Sequence, residues 1–130
     1  MEAWGIAAVG AGAMFGAWLR WWLALRLNSL LPALPFGTLA ANLLGGFLVG
    51  VAIAFFQRHP SLPPEARLFF ITGFLGALTT FSTFSGEVVG MLQRGDYAWA
   101  ATTATAHLFG SLLATALGLA AVPLLVRGAA

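Results

Sequence analysis

Four long apolar stretches, separated by short polar ones, organise the chain. Ala3 to Leu19 carries no charge, meets Arg20 and continues through Trp21 to Leu25, so a first span is expected over residues 3–25. Asn28 to Pro35 holds two prolines and reads as a connection. A second span follows over residues 36–56, its main polar interruptions being Thr38 and Asn42. Gln57 to Arg67, with three prolines, Arg58, His59, Glu65 and Arg67, reads as a loop. A third span is expected over residues 68–92, and after the polar turn Gln93 to Asp96 a fourth over residues 97–126. Uncharged runs of this length match the hydrocarbon core of a bilayer. The fourth is longer than a bilayer requires, which calls for tilt or a protruding end. The pattern predicts an all-α integral membrane protein, a single four-helix domain over residues 1–130.

One stretch inside the third span departs from the rest. Gly76 to Glu87, GALTTFSTFSGE, combines β-branched Thr79, Thr80 and Thr83 with Ser82 and Ser85, between Gly76 and Gly86. Such residues lose rotamer freedom in a helix or compete for its backbone hydrogen bonds, so a break in the third helix at mid-membrane is expected. Irregular backbone at that depth is tolerated only against protein or a water-filled path, so the stretch is expected to face inward.

The other spans carry two kinds of stripe. Small residues recur every four positions as Ala8, Gly12 and Gly16, as Gly46 and Gly50, and as Gly110, Ala114 and Gly118. These suit close helix contact, because lipid gives no hydrophobic drive for helix association. Polar residues recur likewise as Thr103, His107, Ser111 and Thr115, one polar track along the fourth span. Asn42 adds an amide on the second span, and Phe81, Phe84 and Glu87 share one face of the third wherever it is helical. Phenylalanine ring edges are positive, and the neighbouring Ser82 and Thr83 can donate hydroxyl hydrogens, so the set suits an anion. Arg20, near a span end, is expected to snorkel or act structurally, with an anion-holding role at the mouth as the second reading.

Composition narrows the class. Hydrophobic residues make up 60% of the 130 and charged residues 8%, far outside the range of a soluble domain. The basic residues are six arginines without lysine, too scattered for a nucleic-acid surface. With four spans, Arg58, Arg67 and Arg127 fall on one side and Arg20, Arg26 and Arg94 on the other. Orientation follows that bias, so a balanced count predicts insertion both ways and an antiparallel two-fold homodimer. The absence of cysteine excludes disulfides and thiolate chemistry. The first residues lack a basic n-region, so a removable signal is not expected. His59 and His107 lack metal-ligand spacing, and no nucleophile motif is present, so an enzyme is not expected.

Three segments carry a resemblance across nearly the whole chain. GAMFGAWLRW from Gly12 to Trp21, GTLAANLLGGFLVG from Gly37 to Gly50, and GFLGALTTFSTFSGE from Gly73 to Glu87 resemble the Fluc, or CrcB, family of fluoride channels. Ala13, Trp21 and His107 depart from the usual pattern of glycine, tyrosine and, in some members, a hydroxyl residue. The resemblance implies a dual-topology antiparallel homodimer in the cell (inner or plasma) membrane, with two pores conducting fluoride passively out of the cytoplasm to relieve its toxicity. It implies an ion pathway built from Asn42, Phe81, Ser82, Thr83, Phe84, His107, Ser111 and Thr115, with Glu87 close to one end. It also implies a structural sodium ion at the dimer interface, held by backbone carbonyls of Gly76 and Thr79.

Two rivals come from other classes. A small multidrug-resistance-type exporter is also four-spanning and dual-topology, but it needs a carboxylate deep in an early span, and none is there. A non-transporting assembly subunit would explain the small-residue stripes but not the hydroxyl track.

Overall fold

The computed structural model describes residues 2–127; residue 1 and residues 128–130 of the expected domain lie outside the described residues, as does the Arg127 side chain. Those residues form helices and no strands, with four segments long and apolar enough to cross a membrane. This is a multi-pass membrane protein. Helix α1 is Ala3–Leu27 and α2 is Phe36–Arg58. The third span, Pro64–Gln93, comprises α3 (Pro64–Arg67), a π-helix (Leu68–Leu75), α4 (Gly76–Leu78) and α5 (Phe81–Gln93). Helix α6, Tyr97–Arg127, is the fourth, and its 31 residues amount to about 46 Å at a rise of 1.5 Å each.

The spans run longer than hydropathy suggests. Helix α2 continues through Gln57 and Arg58, and the third span begins at Pro64 instead of Leu68, so the expected loop from 57 to 67 shrinks from both ends. Charge ends an apolar run but does not end a helix. Pro64 sits where a missing N–H costs nothing, and Glu65 in the first turn suits the positive end of the dipole. Across the other end of the third span, Gly95 adopts φ 80°, and Gly95 and Asp96 donate their N–H groups to the Leu92 and Met91 carbonyls. That is a Schellman cap, and it needs a residue free to take the left-handed conformation.

Within the GALTTFSTFSGE stretch, only two residues leave the helix. Thr79 (φ −81°, ψ 152°) and Thr80 (φ −150°, ψ 116°) are extended, the conformation that β-branched side chains favour. Gly76 is helical, and Phe81 restarts the helix with Thr80 as its N-cap, the Thr80 hydroxyl accepting from the Thr83 N–H. The serines and Gly86 that lower helix propensity stay helical in α5, where surrounding structure overrides a weak preference.

Two helix pairs dominate the packing: α1 against the π-helix, and α2 against α6. Both rely on backbone approach. A Cβ at Gly16 would collide with the Phe74 carbonyl oxygen, and one at Gly118 with that of Phe47. A Cβ at Gly12 would likewise meet the Phe69 carbonyl oxygen, and one at Gly50 that of Thr115, so the small-residue stripes are the helix contacts. Eight residues is long for a π-helix, a form usually confined to a single turn. Leu23, Ala41, Leu75 and Leu78 close a small core beside the extended threonines.

Candidate functional site

Two extended residues in the middle of an apolar span expose backbone groups that a helix would have satisfied, and side chains of α2 and α1 meet the backbone there. Thr80 N–H, which a continuous helix would give to the Gly76 carbonyl, instead donates to Asn42 Oδ1 at 2.7 Å. Asn42 Nδ2 donates to the Thr80 carbonyl at 3.0 Å, so one amide on α2 clamps both polar groups of the Thr80 backbone. Arg20 Nε–H on α1 donates to the Ala77 carbonyl at 2.9 Å, next to the end of α4. The arginine therefore acts on the backbone here, which is the structural reading of that residue.

A cavity of about 660 Å³ opens beside these threonines. Asn42, Gly76 and Thr79 line it from α2 and the third span, Phe81 and Phe84 from α5, and His107, Ser111 and Thr115 from α6. The wall is otherwise apolar, with Val49, Ile71, Leu75 and Leu112 among its members. Phe81 and Phe84 meet edge to face at 5.4 Å, and Phe84 packs on the His107 ring at 4.6 Å. Phe81 is 79% exposed, with Ser82 and Thr83 exposed beside it, so polar side chains at mid-span face outward from this subunit.

The α6 track divides according to its partners. Thr103 is fully buried away from this cavity and donates to the Met91 sulfur at 3.5 Å. His107 is buried, and its Nδ1 lies 3.0 Å from Asn42 Nδ2. Thr115 donates to the Gly46 carbonyl at 2.9 Å, across to α2 instead of back along its own helix. Ser111 lies between these two along the cavity wall.

A smaller cavity, about 230 Å³, lies on the other side of Thr80. Arg20, Trp21, Asn28, Thr38 and Thr83 line it. Thr38 donates to Glu87 Oε1 at 2.5 Å, while Glu87 Oε2 is buried without a hydrogen-bond partner among the described residues. Ser82 lies 3.3 Å from the Thr80 hydroxyl, outside both cavities. Arg20, Thr83 and the Glu87 partner Thr38 thus group apart from the residues of the larger cavity, and Thr80 borders both.

Thr38 was not expected at the site, and Thr80 was expected only to help break the helix. Thr38 and Asn42 are one turn apart on α2, so the face carrying the amide also carries the hydroxyl, and that spacing was the available signal. Thr80 acts through its backbone, for which a sequence has no sign beyond β-branching. Among the described residues no group of three or more His, Cys, Asp or Glu gathers.

The comparisons with known proteins fit this arrangement. A family profile described as "CrcB-like protein, Camphor Resistance (CrcB)" matches residues 7–119. A protein of Nitrosospira multiformis named "Fluoride-specific ion channel FluC" is 58% identical over 127 residues, covering 98% of this chain and 99% of its own. Proteins of the same name from Cupriavidus metallidurans and Cupriavidus pinatubonensis are 61% and 64% identical over 115 residues, each covering 88% of this chain and 91% of its own. The chain thus belongs to the CrcB family.

Proposed function

We propose that this chain is the subunit of a fluoride-selective channel that exports fluoride passively across the inner or plasma membrane and so relieves its toxicity. What carries the reading is one coincidence. Similarity of about 60% over nearly its whole length to proteins named for fluoride conduction accompanies a mid-span cavity walled by neutral donors and aromatic rings. Fluoride holds water strongly, so a pore must replace that water with short-range donors. It must also bind weakly enough to release the ion, which favours hydroxyls, an imidazole and ring edges over a buried arginine. His107, Ser111 and Thr115, with Asn42 beside them, form this wall, Phe81 and Phe84 offer ring edges, and exposed Ser82 and Thr83 lie next to it on α5. Arg20 and Glu87 sit toward the smaller cavity at one end. Neither cavity is itself the size of a single monatomic ion, and a second subunit narrows the path.

The pairing is an antiparallel homodimer. Exposed Ser82, Thr83 and Phe81 at mid-span support it, because hydroxyls beside an interrupted third helix would be costly against lipid and need protein cover. Three arginines against three supports insertion in both orientations. The proposed sodium fits the backbone chemistry. Thr80 N–H goes to Asn42 and Thr83 N–H to the Thr80 hydroxyl, so the carbonyls of Gly76 and Thr79 lose the donors a continuous helix would supply. Those oxygens suit a hard cation, and from two subunits they would hold it at the interface, where it would offset their dipoles and tie the interrupted helices together.

Purified protein in liposomes loaded with fluoride or chloride tests the reading. Fluoride is expected to leave rapidly and chloride negligibly, and equal release of both overturns it.

A further inference from the structure

Asn42 has no hydrogen left to give to a passing ion. Its orientation is fixed by Thr80, because the backbone N–H at 2.7 Å requires the amide oxygen there and the backbone carbonyl at 3.0 Å requires the amide nitrogen. Turning the amide over would set N–H against N–H and oxygen against oxygen. One Nδ2 hydrogen therefore serves the Thr80 carbonyl, and the other points to His107 Nδ1 at 3.0 Å. An amide nitrogen only donates, so Nδ1 accepts with its lone pair and the ring hydrogen sits on Nε2. His107 is buried and packs at a tilt against Phe84; its ring borders the larger cavity, and its Nε2 is enclosed with no hydrogen-bond partner among the described residues.

We infer that Asn42 is a positioning residue that locks neutral His107 in the tautomer carrying hydrogen on Nε2, and that this N–H, not the Asn42 amide, is the donor offered to fluoride. The inference rests on the fluoride reading for the identity of the ion, while the tautomer stands apart from it. A buried donor without an acceptor is costly in a protein interior, and an anion is the acceptor it lacks. With the other tautomer, Nε2 would present a lone pair to the ion and repel it. The same clamp explains why a single amide serves here. It holds the Thr80 backbone and the imidazole together, so displacing either moves the other.

Two measurements test it on the full chain in liposomes. Nitrogen-15 magnetic resonance of the labelled His107 ring in the wild type reads the tautomer without any transport assay. Nε2 protonated and Nδ1 bare is expected, and the opposite tautomer or an imidazolium overturns the inference. Efflux of fluoride from His107→Gln and His107→Asn then separates the two ring positions, because glutamine places an amide nitrogen near Nε2 and asparagine near Nδ1. Gln is expected to exceed Asn by at least about tenfold. Equal rates in the two variants at equal dimer yield overturn the donor assignment. Asn42→Asp adds a third arm: the carboxylate accepts from Nδ1–H, so the ring resonance should switch tautomer while efflux falls, and an unchanged ring spectrum contradicts the lock. Failure of the wild type to pass fluoride at all, with the expected tautomer present, would count against the channel reading and leave the lock standing.

Discussion

Arg20 offers the sharpest separation of a structural from an ion-binding role. Its Nε–H meets the Ala77 carbonyl at 2.9 Å, a bond from a charged donor to a carbonyl left by the end of α4. Hydrogen bonds to charged groups contribute about 1.5–3 kcal/mol, and an orphaned buried carbonyl costs about 1–3 kcal/mol. Arg20→Met keeps the apolar stem and removes the donor, so a loss of roughly 1.5–3 kcal/mol per subunit is expected. Arg20→Lys keeps the charge but replaces a fixed planar donor with a flexible ammonium, and should recover only part of that loss. Reversible unfolding in mixed micelles, followed by tryptophan fluorescence, reads the stability, with fluoride efflux measured alongside. Stability in Arg20→Met within about 0.5 kcal/mol of wild type, the range of an inconsequential surface change, would refute the reasoning. Full recovery of efflux by lysine, with stability unchanged throughout, would return Arg20 to the role of a charge at the mouth.

Three other outcomes follow from the same geometry. Phe81→Ile or Phe84→Ile should leave dimer yield near normal but slow fluoride efflux at least about tenfold, a barrier increase of roughly 1.4 kcal/mol; near-normal efflux would make both rings packing only. Gly16→Val should destabilise the protein by about 1–3 kcal/mol or abolish folding, read by size-exclusion recovery, because its Cβ would collide with the Phe74 carbonyl. Adding two or three arginines between α2 and α3 should force one orientation and abolish function until an oppositely biased copy is coexpressed; full activity of the biased form alone would contradict the antiparallel pairing.

The spans were readable because hydropathy reports burial in lipid directly, and Arg26, Arg58 and Asp96 mark where it stops. Their true ends were less so, since Gln57, Arg58 and Pro64 extend helices beyond the apolar runs through local backbone preferences. The glycine stripes were legible as contact surfaces, because only a missing Cβ admits the carbonyls of Phe74 and Phe47 so closely. The π-helix was not, as no residue type from Leu68 to Leu75 carries a signature for it. Of the site, the polar residues at membrane depth announced themselves by their cost. Their division into two cavities did not, nor did the clamp between Asn42 and Thr80, which joins positions 38 apart and uses backbone atoms common to every residue.

Selectivity is the central claim, and a bilayer experiment reads it most directly. Purified protein is incorporated into a planar bilayer with equal sodium on both sides, fluoride on one side and chloride on the other, and the zero-current potential is measured. A large potential of the sign set by fluoride moving down its gradient is expected, with no measurable chloride contribution. A zero-current potential near zero, showing that both anions pass equally, would contradict it.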